Sequence, residues 1–154
     1  MANHPPCGLY RTALALPNVP AGRLVSFHNH GDPGAGIYLP KRWVLNRVEW
    51  HANGATVPGP EWSSTLEPLA AEGLYAVQAT FFCCSRQCVR FNDGQLVQLG
   101  YDGEATPILF VPELTAKGLG FPESGTRLDR DRIARLTPLK VARGHDAPVD
   151  TLLH

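Results

Sequence analysis

Apolar positions along the chain fall in short runs, broken repeatedly by Gly, Pro, Asn and Asp. Such runs predict short strands joined by turns, with little helix. Residues 10–16 and 75–82 read as first strands, and 23–28 and 95–101 as second strands, where Leu24 and Leu96 each begin an apolar run. Glycine-containing turns at 30–36 and 102–106 lead into third strands at 37–39 and 108–111, which Pro40 and Pro112 end or confine to a sheet edge. A looser stretch follows in each case, then a short segment at 54–57 or 125–128. Asp129 is placed to cap a helical turn over 130–136 before Pro138 stops it, and 63–66 before Pro68 is the counterpart. Residues 139–141, and 69 onward, supply a last strand.

The elements recur because the sequence itself repeats. Residues 22–40 read GRLVSFHNHGDPGAGIYLP and residues 94–112 read GQLVQLGYDGEATPILFVP, at an offset of 72 without a gap. Gly22/Gly94, Leu24/Leu96, Val25/Val97, Gly31/Gly103 and Pro40/Pro112 are identical, five of nineteen pairs. Ordinary composition gives about one such identity by chance. Upstream, Leu9-Tyr10 matches Leu74-Tyr75 at offset 65, so the second copy carries seven extra residues before Gly94. Downstream, TLEPL at 65–69 matches RLTPL at 135–139.

Five short strands and a one-turn helix per copy resemble a small SH3-like barrel. The expected fold is therefore mostly β with little helix: internally duplicated small SH3-like β-barrel units packed together. The expected layout is an N-terminal arm at 1–8, one repeat at 9–73, a second at 74–143 and a loosely held tail at 144–154. Neither copy has much core of its own, and no Gly/Ser linker separates them, so they are expected to pack face to face as one cooperative unit.

Hydrophobic residues at 44% support a buried core. Fourteen Lys and Arg balance fourteen Asp and Glu, which disfavours a nucleic-acid partner. The local exception is Arg127, Arg130, Arg132, Arg135, Lys140 and Arg143, opposed only by Asp129 and Asp131, and it reads first as a solvated charged face. No apolar stretch approaches membrane-spanning length, so no membrane association is expected. Prolines at 5, 6, 17 and 20 break up any signal-peptide core. A cytoplasmic location follows as the default, where four cysteines point to reduced thiols or metal ligands rather than a disulfide framework.

Two constellations could carry chemistry. His28-Asn29-His30-Gly31-Asp32 has H-x-H-x-D spacing and resembles the first metal motif of the metallo-β-lactamase superfamily, in which imidazoles and a carboxylate hold a hydrolytic metal pair. The resemblance covers five residues and implies a small metal-dependent hydrolase using His28, His30 and Asp32. The family's next His is Pro33 here, and the second copy has Gly100-Tyr101-Asp102-Gly103-Glu104 in the same place, so a turn with surface histidines is the plain reading.

The second constellation is Cys83-Cys84-Ser85-Arg86-Gln87-Cys88, inside the seven-residue insertion. With 85–87 as a hairpin turn, Cys84 and Cys88 face each other at a cross-strand separation of about 4.5–5.5 Å, near enough to reach one ion. A tetrahedral zinc site then needs Cys7, or His28 and His30, which share a face if they lie on a strand. Cys84, Cys88, His28 and His30 are thus the candidate metal ligands, with zinc as the candidate ion. Free buried thiols packing as small hydrophobes, or a disulfide, are the alternatives. No base stands at a recognisable spacing from any cysteine, and no G-x-S-x-G elbow, H-E-x-x-H or Lys-bearing phosphate loop is present, so no catalytic residue is named.

Trp43, Trp50 and Trp62 all fall in the first copy, opposite Thr115, Phe121 and Arg132 in the second. An aromatic groove suits extended or proline-rich peptides, which makes the three rings partner-binding candidates. Alternatively, they fill the seam between the copies. The reading as a whole is a non-catalytic binding or structural module for a protein or peptide, stiffened by zinc if the metal site forms.

Overall fold

The computed structural model of the chain describes residues 3–142 and 144. It is mostly β, 40% strand against 7% helix, as the short apolar runs require. In the first half, β1 (Gly8–Arg11), β2 (Leu24–His28), β3 (Gly36–Tyr38), β4 (Pro40–Val44), β5 (Arg47–Trp50) and β6 (Ala55–Thr56) precede a single helical turn, α1 (Pro60–Ser63), and β7 (Glu67–Pro68). Five of these strands form an antiparallel sheet in the order β6-β3-β2-β1-β7, and β4 and β5 form a separate hairpin arm.

In the second half, β8 (Gly73–Val77) is followed by the hairpin of β9 (Phe81–Phe82) and β10 (Arg90–Phe91). Then come β11 (Leu96–Tyr101), β12 (Pro107–Phe110), the hairpin arm of β13 (Glu113–Thr115) and β14 (Gly118–Gly120), β15 (Thr126–Arg127), a 3-10 helix (Arg130–Arg135) and β16 (Leu136–Pro138). This sheet is ordered β15-β12-β11-β8-β16. In both sheets the fourth strand lies at one edge and the last strand at the other, with the third, second and first between them.

Individual bonds recur at the aligned positions as well. The Gly22 N–H donates to Thr12 O and the Gly94 N–H to Val77 O, both at 2.7 Å. Both glycines are left-handed, at φ 81° and 80°, where a side chain would cost about 1–2 kcal/mol. The Tyr10 hydroxyl donates to Pro6 O at 2.7 Å, and the Tyr75 hydroxyl to Ala71 O at 2.6 Å.

Four expectations need correction. Neither sheet closes into a barrel: each stays open at edge strands of two or three residues, and Pro68 and Pro138 have no N–H to extend the ladder. The first strands end early, at Arg11 and Val77. In one half Thr12 bonds to Arg23 and Gly22, and the chain then makes a separate tight turn between Leu16 and Val19, with Asn18 at φ 65°. In the other the buried Phe81 leaves to stack on Phe91. The last strand of the second half is 136–138 rather than 139–141, since Leu136 points into the core and a proline is tolerated at an edge. Asp129 occupies the cap position of the 3-10 helix but makes no side-chain capping bond. The two hairpin arms lie in what reads from sequence as loose stretches.

Two apolar clusters form. Tyr10, Val25, Phe27, Ile37, Trp62 and Leu66 build the first, and Val77, Phe91, Val97, Leu99, Leu109 and Leu128 lead the second. Alternation along β2 sends Val25 and Phe27 to the first cluster and the fully buried Leu24 to the second, where Leu9, Val48, Trp50 and Leu69 also pack. The two halves therefore share apolar burial. Among the described residues no helix is long and apolar enough to cross a membrane.

Candidate metal centre

Strand register builds this site. Gly8 pairs with Phe27 in the β1–β2 ladder, so one more step sets Cys7 opposite His28. His30 follows two residues later, and its ring meets that of His28 edge-on with centroids 5.9 Å apart. The His28 ring also packs edge-on against Tyr38 of β3, at 5.3 Å, and its Nε2 lies 3.5 Å from Ser26 Oγ.

The segment before β1 is tied down around the thiol. The Asn29 N–H donates to Cys7 Sγ at 3.3 Å, and the Asn29 amide donates to Pro5 O at 3.3 Å. Cys7 Sγ lies 3.6 Å from His30 Nδ1. Ligand atoms of Cys7, His28 and His30 all lie within 4.8 Å of one another, and these three residues could hold a metal ion. Bonds of roughly 2.0–2.3 Å to tetrahedral zinc set such donors about 3.3–3.8 Å apart, so side-chain movements of about 1 Å would bring these three to binding distance, with the fourth position left to another ligand.

Cys7 and His28 stand in the wall of a cavity of about 410 Å³, together with Leu9, Trp50, Leu69 and Glu72. The Val48 N–H donates to the Glu72 carboxylate at 3.2 Å. Burial nevertheless raises the Glu72 pKa to about 7, against the lowering effects of that N–H and of Arg47. Burial raises the Tyr10 phenol too, with Cys7 adding to the effect.

The residues singled out from sequence are distributed unevenly. His28 and His30 are in the group, joined by Cys7 rather than by Cys84 and Cys88, which lie at the tip of the β9–β10 hairpin. Asp32 is exposed and outside the group. Cys7 could be placed only once the β1–β2 register was known, since the twelve residues between those strands leave the pairing free.

The tryptophans occupy three different settings. Trp62 is buried in the first cluster, Trp50 packs against the second, and the half-exposed Trp43 donates its indole N–H to Tyr101 O at 2.8 Å. Within the basic run, Arg127 pairs with Asp102, Arg130 with Glu67 and Arg132 with Asp131. Arg143, and the tail beyond Gly144, lie outside the described residues. No protein-family model matches the chain, and no curated protein or solved structure matches it.

Proposed function

We propose that the chain is a non-catalytic binding module of two tandem units, residues 9–73 and 74–143, SH3-like in strand order, in which Cys7, His28 and His30 hold a zinc ion. The approach of one thiol and two imidazoles to within 4.8 Å carries this reading. Thiolate and imidazole donors suit zinc, and a reducing compartment such as the cytoplasm keeps Cys7 available as a ligand. The ion would tie the segment before β1 to the end of β2, stiffening one wall of the cavity. Apolar walls formed by Leu9, Trp50 and Leu69 suit a protein or peptide segment there. The repeated strand order and the recurring glycine and tyrosine bonds support the duplication.

A metal-dependent hydrolase using His28, His30 and Asp32 is the second reading. Glu72, a carboxyl near neutral pKa in the same cavity, is the observation that favours it.

Native mass spectrometry with elemental analysis of the reduced protein tests both. Expected is one zinc per chain, lost from Cys7→Ser and from the double change His28→Ala, His30→Ala, but kept by Cys84→Ser and Cys88→Ser. Zinc retained by Cys7→Ser would overturn the assignment. Ester hydrolysis by the zinc-loaded protein, abolished by Asp32→Asn, would select the hydrolase instead.

A further inference from the structure

The β9–β10 hairpin carries three cysteines that the metal centre does not use. Its ladder pairs Phe81 with Phe91 and Phe82 with Arg90, and the Cys83 N–H donates to Val89 O at 2.9 Å. One further step sets Cys84 opposite Cys88 across the loop Ser85-Arg86-Gln87. The Gln87 N–H closes that loop onto Cys84 O at 3.0 Å, with Gln87 left-handed at φ 56°, the form of a three-residue hairpin turn. Opposed residues in such a ladder have Cα atoms about 4.5–5.5 Å apart, inside the span a disulfide bridges.

The third cysteine plays a different part. Cys83 is buried, accepts the Val89 N–H on its sulfur at 3.3 Å and donates its thiol to Cys84 Sγ at 3.5 Å. Cys84 is half-buried and Cys88 exposed, and no disulfide joins any of the four cysteines. Between Cys83 and Phe91 the chain holds Arg86 and Arg90 and no acidic residue.

We propose that Cys84 and Cys88 form a reversible dithiol–disulfide couple, oxidised by a small anionic disulfide of the glutathione class. The Cys84 thiolate attacks one sulfur of the small disulfide, forming a mixed disulfide and releasing one small thiolate. Cys88 then loses its proton to solvent and attacks the Cys84 sulfur, closing the Cys84–Cys88 bond and releasing the second thiolate. Two electrons pass from the dithiol to the small disulfide, which leaves as two thiols.

The division of roles has a physical basis. The Cys88 N–H, then the Cys83 thiol, lower the Cys84 pKa to about 7, while the neighbouring Cys84 raises that of Cys88. Cys84 is thus the attacking group and Cys88 the resolving one. This inference is independent of the zinc reading.

Reduced protein is exposed to oxidised glutathione at neutral pH, alkylated and peptide-mapped, in parallel with Cys7→Ser to remove the metal centre. One intramolecular bridge from Cys84 to Cys88 is expected in both, reversed by reduced glutathione. Cys88→Ser, at an exposed position, should stall as a glutathione adduct on Cys84. Cys84→Ser should form no bridge and gain adducts at least about tenfold more slowly. A bridge mapped to another pair, an adduct forming faster on Cys7 than on Cys84, or no bridge in the wild type would overturn the proposal.

Discussion

The arms β4–β5 and β13–β14 hold the same place in their halves and meet opposite fates. The first lies across the second half. The Asn46 side-chain amide donates to Gln98 Oε1 at 3.0 Å and to Pro122 O at 2.9 Å, and the Gln98 amide donates back to Leu45 O at 3.1 Å. Trp43, Val44 and Leu45 of the first arm are exposed as well, but its Val48 and Trp50 pack against the second cluster. The second arm instead leaves Leu114 and Leu119 exposed at 87% and 49%, and its Thr115 hydroxyl bonds within the hairpin itself. One aligned position explains much of the contrast. A Cβ on Gly100 would stand 2.9 Å from Asn46 O, so the first arm can seat on β11 only where there is no side chain. At offset 72 from Gly100, β2 carries His28. The residue that would obstruct an arm there is the one that reaches Cys7.

The largest effect is expected at Asn46. Asn46→Ala removes two side-chain bonds, leaves Pro122 O and the largely buried Gln98 short of a donor, and puts alanine at φ 67°. The expected loss is about 2–3 kcal/mol in urea unfolding, with a single transition for both halves. A loss below about 0.5 kcal/mol would mean that the arm's seat does not hold the halves together.

That seat was only partly legible in the sequence. The five-strand grammar showed because alternation and glycines at 22 and 94 mark strands and turns directly. The β4–β5 arm did not, because its two-residue turn is Leu45-Asn46, both left-handed at φ 51° and 67°. Such a turn ordinarily announces itself with Asn-Gly or Asp-Gly, and leucine there hides it. His28 and His30 stood out by spacing, whereas Cys7 depends on a register set by packing across a long loop.

Glu72 stands at the other end of the arm, where it accepts the Val48 N–H of β5. Its folded-state pKa of about 7 lies above the ordinary 4.5, so the folded state binds more protons between those values. Its contribution to stability is complete below about pH 4.5 and lost as pH rises through 7. In metal-free protein, Glu72→Gln should flatten that fall and be the more stable form at pH 8 by about 1–2 kcal/mol, a figure kept small because part of the residue's surface stays in solvent. Parallel pH profiles for the two proteins would show a carboxyl already solvated beneath the arm.

The smallest effect belongs to the free arm, and its smallness is the informative result. Leu119 is the counterpart, at offset 71, of Val48, which packs against the second cluster, yet Leu119 stands half in solvent. Leu119→Ser deletes an apolar side chain that shields little, so thermal unfolding should shift by no more than about 0.5 kcal/mol in either direction. Val48→Ser, at the seated counterpart, should cost more, because it removes buried methyl groups and strands a hydroxyl against apolar neighbours. Equal costs at the two positions would mean that both arms are packed alike in solution. The Gly100–His28 contrast would then have no bearing on where an arm can lie. Unequal costs in the expected direction tie the difference between the arms to the surface each one meets, rather than to the hairpins themselves.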